Sequence, residues 1–196
     1  MKRLFDITAS LIGIIILLPV LLLISLAVAI NSGFPVLYKQ TRVGKNNHDF
    51  KVLKFRTMFP NSDEKGLLTV GGRDPRITEV GYFLRKYKLD EFPQLINVLF
   101  GTMSLVGPRP EVRKYVDMYT EEQKKVLLVQ PGITDYASLE YINENELLAK
   151  SQNPEETYIK EVMPAKLNLN LKYIDKESLG TDLKLIFKTL GKIFRP

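Results

Sequence analysis

Asp90 and Glu91 lie side by side in Leu84-Arg85-Lys86-Tyr87-Lys88-Leu89-Asp90-Glu91-Phe92-Pro93-Gln94-Leu95, at the end of a basic run and ahead of an apolar one. Carboxylates set among cations keep their charge at neutral pH. A charged carboxylate beside fixed cations can hold a divalent metal or attack a phosphorus centre. The plain alternative is a solvated acidic pair at a helix end, the commoner fate of such clusters. Further cations stand at Lys54 with Arg56, at Arg85, and at Arg109. Arg109 is held between Pro108 and Pro110, which restrict the backbone around it. A stiff guanidinium suits bidentate phosphate binding. Singly, each cation reads as surface charge; together with the carboxylates they describe a diphosphate-plus-metal site.

Composition narrows the chemistry. The chain has 196 residues, room for one domain and an appendage. Cysteine is absent, which excludes disulfides and thiolate metal sites. His48 is the sole histidine, and no partner spacing supports a histidine triad or a zinc site. Catalysis therefore falls to Asp, Glu, Lys and Arg. The net charge of +6 suits nucleotides, nucleic acid or anionic lipid without choosing among them. Neither a Walker loop nor a G-x-G-x-x-G run is present.

The elements that must position these groups begin with an apolar segment. Ile7 to Ile30 carries no charge over 24 residues, and a bilayer core needs about 20 in a helix. Met1-Lys2-Arg3 and Ala27-Val28-Ala29 imitate a signal peptide, but the apolar stretch is too long for one and Asp6 interrupts its start. A simple span fits poorly too. Lys2 and Arg3 precede the segment and Lys39, Arg42 and Lys45 follow it, so both ends ask for the cytoplasmic side. Pro19, near the middle, would bend the helix so that it returns to the leaflet it entered. Bare backbone at that bend would need partners, with Thr8, Ser10 and Ser25 at hand. We therefore expect a re-entrant hairpin.

Downstream, Val36 to Tyr38 and Phe50 to Arg56 read as strands, the second by clean alternation. Residues 60–74 read as a mobile polar loop. Thr78 through Lys88 reads as a helix capped by Thr78, and Pro93 to Leu99 as another, closed by Gly101. Pro110 to Val129 reads as a long helix, Gln130 to Thr134 as a turn, and 140–154 as acidic surface helix and loop. Near the C-terminus, Leu183, Ile186, Phe187, Leu190, Ile193 and Phe194 share a helical face, with Lys184, Lys188, Lys192 and Arg195 off it. Such a helix can pack on the core or lie in a membrane interface, and the apolar N-terminus favours the interface. The expected fold is α+β and mostly helical, with a Pro-broken re-entrant N-terminal membrane helix over 1–33. A catalytic domain over 34–196 follows, with a short β-hairpin and amphipathic interfacial helices.

Several blocks, in order, carry a resemblance. They are the Pro-broken apolar N-terminus, Gln40 to Gly44, Lys54-Phe55-Arg56-Thr57-Met58, Asp74 to Thr78, Leu89 to Leu95, Met103 to Pro110, and Pro131 to Thr134. The chain resembles the bacterial sugar transferases known as monotopic polyprenyl-phosphate phosphoglycosyl transferases, in a minimal catalytic form. That resemblance implies a monotopic enzyme on the cytoplasmic face of the bacterial inner membrane, in contact with its lipids. It implies transfer of a sugar-1-phosphate from a UDP-sugar to undecaprenyl phosphate, releasing UMP, as a first membrane step of surface glycan assembly. It implies Asp90 as nucleophile and Mg2+ ligand, Glu91 as its assistant, and Lys54, Arg85 and Arg109 around the phosphates; Arg56, which stands with Lys54 in the cation cluster, is expected to bind substrate beside them. Pro19, Pro108 and Pro110 are expected to act structurally, through the backbone they restrict, and a homodimer is admitted.

One block departs. Many members follow this Pro-Gly-Ile-Thr block with Gly and then Asn-Gly-Arg; here Thr134 is followed by Asp135 and no such run. That departure keeps alive a non-catalytic scaffold or regulator with the same fold. A membrane-tethered nucleic-acid binder would explain the charge but not the paired carboxylates, so no nucleic-acid partner is expected.

Overall fold

In the computed structural model the described residues are 1–62, 66, 68–71 and 74–194, with side chains to Lys192. Helix α1 runs from Lys2 to Ser32 and continues through Pro19. The hydroxyls of Thr8, Ser10 and Ser25 donate to the carbonyls of Leu4, Ile7 and Leu21. None of them serves the Ile15 carbonyl, which the proline leaves without its usual donor.

Both ends of α1 dock on the same folded body. At the first end, the buried Asp6 accepts from Ser104 Oγ at 2.9 Å and from Leu105 N at 3.1 Å. Arg3 donates to the Leu99 carbonyl at 2.9 Å, and Lys2 to the Val106 carbonyl at 3.0 Å. At the far end, Ile24 and Val28 pack with Phe55 and Leu84. There Arg56 donates to the carbonyls of Ser32 and Gly33. Between the ends, Leu11, Ile12, Ile15, Ile16, Leu22 and Leu23 are exposed.

Strands β1 (Leu37–Val43) and β2 (Asp49–Phe55) form the expected hairpin, paired antiparallel from Leu37 opposite Phe55 to Val43 opposite Asp49. The alternation has a reason on each face. Val52 packs with Val98 and Met103, while Phe55 faces the far end of α1. Helix α2 (Glu79–Lys86) starts at Thr78, whose hydroxyl accepts from Gly81 N at 2.9 Å. Gly81 lies hard against the chain after β2: a Cβ there would sit 2.0 Å from the Thr57 carbonyl oxygen. Lys88 adopts left-handed backbone, a 3-10 turn follows over Leu89–Glu91, and α3 (Gln94–Phe100) ends at Gly101, also left-handed. From α3, Asn97 accepts from Leu53 N and donates to the Lys51 carbonyl, which fixes β2 on this helix.

Two expectations are corrected beyond this point. Gln130 to Thr134 is not only a turn: β4 (Gly132–Thr134) pairs in parallel with β3 (Ser104–Val106). Backbone proximity requires glycine here, since a Cβ on Gly132 would fall 2.0 Å from Gly107 N. The long helix expected over 110–129 is instead α4 (Arg113–Val116) and a 3-10 stretch over Gln123–Leu128. Thr120 and Gln123 exchange side-chain-to-backbone hydrogen bonds in a capping-box manner, which starts a new turn and ends the old one.

Helices α5 (Tyr136–Glu140) and α6 (Glu144–Ala149) occupy the acidic stretch. The chain is then helical from Pro154 to Ile174: α7 (Pro154–Thr157), a π turn over Tyr158–Val162, and α8 (Met163–Ile174). Helix α9 (Leu179–Phe194) divides its apolar surface. Asp182 and Leu185 are buried and Ile186 packs on the core, while Leu183, Phe187 and Leu190 are exposed beside Lys184 and Lys188. The expected single face is thus shared between core and exterior, and Leu185, outside that face, supplies much of the core contact. The side chains of Ile193 and Phe194, and all of Arg195, lie outside the described residues. So does part of the 60–74 loop, whose described portion is tied by Arg76 to the carbonyls of Gly66 and Leu68.

The tight approach at Gly81 yields a prediction. Gly81→Ala should destabilise the fold by at least about 2 kcal/mol, since the new methyl meets backbone rather than a movable side chain. A thermal melt of the purified variant checks this; an unchanged midpoint would refute the close packing.

Candidate active site

A cavity of about 300 Å3 opens between the hairpin, α2, the 3-10 turn after it and α8. Four of the six site residues expected from sequence stand around its charged end: Lys54, Arg85, Asp90 and Arg109 line it. The fifth, Glu91, joins them by hydrogen bonds to Lys54 and Arg109. Arg56 also lines the cavity, but its guanidinium is engaged by Ser32 and Gly33 at the end of α1.

Each group is placed by a local cause. Lys54 lies on β2, which Asn97 clamps between its two backbone bonds. Arg85 is one helical turn beyond Gly81, so the close approach of α2 to Thr57 sets its distance from the hairpin. Asp90 and Glu91 sit in the 3-10 turn that Lys88 begins. Arg109 leaves β3 through Gly107 and Pro108, and its backbone N–H donates to Asp135 Oδ2 at 3.1 Å. Asp135 is fully buried and caps α5 by accepting from Ser138 N. The residue that departs from the family pattern therefore holds the arginine loop. Sequence reading missed that role; the signal was an Asp directly before a short helix, the usual N-cap position.

The two carboxylates are opposites in their surroundings. Glu91 accepts from Lys54 Nζ at 3.0 Å and from Arg109 through both guanidinium nitrogens, one of them at 3.1 Å. Burial pushes its acidity down, yet Arg109 and Lys54 outweigh that and hold it well below the usual carboxylate range. The same contact raises the pKa of Arg109. Asp90 is only 7 % exposed and accepts no hydrogen bond from a described residue. Burial, and then the neighbouring Glu91 charge, push its pKa up; Lys54 and Arg85 oppose this. Lys54 is pulled down by burial, with Glu91 restoring part of its basicity. Arg85 donates to Thr69 Oγ1 at 3.0 Å, while its Nη1 is buried without a partner. An unpaired guanidinium nitrogen and an unpaired carboxylate thus stand at the same end of the cavity.

Among the described residues no cluster of three or more His, Asp or Glu could enclose a metal. Mg2+ does not require one: it is commonly held by one or two carboxylates, substrate phosphates and water. Asp90 has the free oxygens for this, and Glu91 does not.

The profile of the Bacterial sugar transferase family matches residues 1–196, and the chain belongs to that family. It is 36 % identical over 195 residues to the UDP-N-acetylgalactosamine-undecaprenyl-phosphate N-acetylgalactosaminephosphotransferase of Aeromonas hydrophila. It is 37 % identical over 198 residues to the UDP-glucose:undecaprenyl-phosphate glucose-1-phosphate transferase of Escherichia coli (strain K12). These alignments cover 98 % and 99 % of this chain but only 43 % and 40 % of the relatives. An uncharacterized sugar transferase of Bacillus subtilis (strain 168), 38 % identical, is matched over 98 % of this chain and 87 % of its own length.

The raised pKa of Asp90 makes a prediction about stability. A buried carboxylate with a raised pKa destabilises the fold at any pH where it is ionised, and protonation relieves this as pH falls through the raised value toward 3.8. Asp90→Asn should therefore raise the melting midpoint at pH 7, because the amide carries no charge to desolvate. The gain should shrink as the pH is lowered; a loss of stability at pH 7 would contradict this account.

Proposed function

We propose that the protein transfers a sugar-1-phosphate from a UDP-sugar to undecaprenyl phosphate, giving undecaprenyl-diphosphate-sugar and UMP. One observation carries the reading: Glu91 is locked by Arg109 and Lys54, while Asp90 beside it on the cavity wall has no donor among the described residues. Two adjacent carboxylates with opposite pKa shifts divide the labour. Glu91 stays ionised and orients the cations. Asp90, more basic than an ordinary aspartate, is the better nucleophile.

In this mechanism an Asp90 oxygen attacks the sugar-bearing phosphorus of the donor. The bond from that phosphorus to the bridging oxygen breaks, and UMP leaves with the oxygen. Arg85, with Nη1 unpaired, and Lys54 meet the phosphate charge and hold the reacting groups in line. A phosphate oxygen of the lipid then attacks the aspartyl-bound phosphorus and frees Asp90, so the two substrates bind in turn. Mg2+ held by Asp90 and the donor phosphates would lower the repulsion between carboxylate and diphosphate.

The lipid acceptor requires a membrane site, and α1 supports one entered from a single side. Hydrocarbon about 30 Å thick would part the ends of a spanning helix. Here Lys2, Arg3 and Asp6 at one end, and Ser32 and Gly33 at the other, bind the same folded body. A re-entrant, monotopic placement on the cytoplasmic face accommodates both ends and still gives the exposed middle of α1 to lipid. The exposed Leu183, Phe187 and Leu190 of α9, flanked by lysines, suit the interface beside it.

Asp90→Asn should abolish both the covalent phosphosugar adduct, read by mass spectrometry, and UMP release. A fully active variant would refute the mechanism. For the wild type, activity should fall as pH drops through a value above the ordinary aspartate 3.8, because only ionised Asp90 attacks. UMP release from no member of a UDP-sugar panel, with lipid phosphate and Mg2+ present, would instead assign a scaffold or regulator role. For topology, single cysteines placed near residues 2 and 40 should both react with an impermeant reagent from the cytoplasmic side. Labelling from opposite sides would mean a true span.

A further inference from the structure

The cavity has a second end that the transfer chemistry leaves unused. Helix α8 presents Met163, Lys166, Leu167 and Asn170 to it, a stripe at helical spacing. Asn170 is only 4 % exposed, and its Oδ1 is buried with no hydrogen-bond donor among the described residues. A buried acceptor left unpaired is costly unless something else supplies the donor. Glu144, also on the wall, gives Oε2 to Lys166 Nζ at 2.6 Å, and no described residue donates to its Oε1. The described cations here are already matched: Lys166 with Glu144, and Arg42 with Glu111 at 2.7 Å. Tyr158 donates to Glu111 as well, which closes that carboxylate. What remains open at this end is acceptor capacity, in contrast to the cationic end around Lys54, Arg85 and Arg109.

This polarity sorts the parts of a nucleotide-sugar. Diphosphate offers only acceptors and belongs at the cationic end. Uridine offers two carbonyl acceptors, one uracil N–H and two ribose hydroxyls, so the ribose is the competing source of donors and the comparison with UDP separates it from the sugar. A sugar ring presents several hydroxyl donors. We propose that the α8 end of the cavity is the glycosyl subsite, in which Asn170 Oδ1 and Glu144 Oε1 accept hydrogen bonds from sugar hydroxyls and so decide which sugar is taken. The subsite rests on the UDP-sugar reading above, and names the part of that donor it contacts.

The test measures dissociation constants for UDP-glucose, UDP-N-acetylgalactosamine and UDP with the full chain in detergent and Mg2+. An Asp90→Asn background prevents adduct formation. Adding Asn170→Ala or Glu144→Gln should weaken at least one UDP-sugar about 10-fold, the loss of one buried hydrogen bond, and leave UDP within about twofold. Asn170→Ala removes an unpaired acceptor, so its melting midpoint should not fall. Equal weakening of UDP and UDP-sugars, or no weakening of any sugar donor, overturns the subsite. Turnover by the wild type with sugar affinity unchanged in the variants defeats the subsite alone. Sugar-dependent binding without turnover defeats the transferase reading alone. If no UDP-sugar binds either to this background or to the wild type, both fall.

Discussion

Glu91 is a largely buried carboxylate, 12 % exposed on its side chain and gripped by two cations, and the rest of the site is arranged around that grip. An ionised carboxylate inside a protein is tolerated only when paired and hydrogen-bonded. Lys54 brings its charge from the hairpin and Arg109 from the loop after β3, so one acidic side chain ties two distant segments to the 3-10 turn. Arg109 is 34 % exposed on its side chain, so water screens part of this attraction. The pairing's main effect is therefore on geometry. Because Glu91 takes both cations by direct contact, Asp90 is left ionisable, unpaired and facing the cavity.

That arrangement depends on close backbone packing elsewhere. Gly81 brings α2, and hence Arg85, against the end of β2; Gly107 and Gly132 bring β3 and β4 together below Arg109. Asp135 then holds the Arg109 backbone while capping α5. Reactive side chains are thus fixed through main-chain contacts that leave no room for a Cβ, which keeps their separations narrow.

The apolar helix belongs to the same construction. Asp6 reaches Ser104 and Leu105 on β3, and Arg56 at the end of β2 receives the end of α1. The helix that would meet lipid is therefore bonded directly to both strands that lead into the site.

Much of this was legible in the sequence. The adjacent carboxylates, the cations, the apolar segment with Pro19, the alternation of β2 and the Thr78 cap are all local patterns, set by neighbours a few residues apart. The tertiary structure decided how distant groups were shared. Arg56 and Lys54 are two residues apart, the first just past the end of β2 and the second within it, yet the first binds the end of α1 and the second binds Glu91. Nothing in their spacing separates those fates: residues two apart would share a strand face, and the segments packed around each one decide its partner. The parallel pairing of Gly132–Thr134, the break at Thr120 in the expected long helix, and the unpaired Asn170 are of the same kind. Each depends on contacts between segments far apart in the chain, where local propensity is silent.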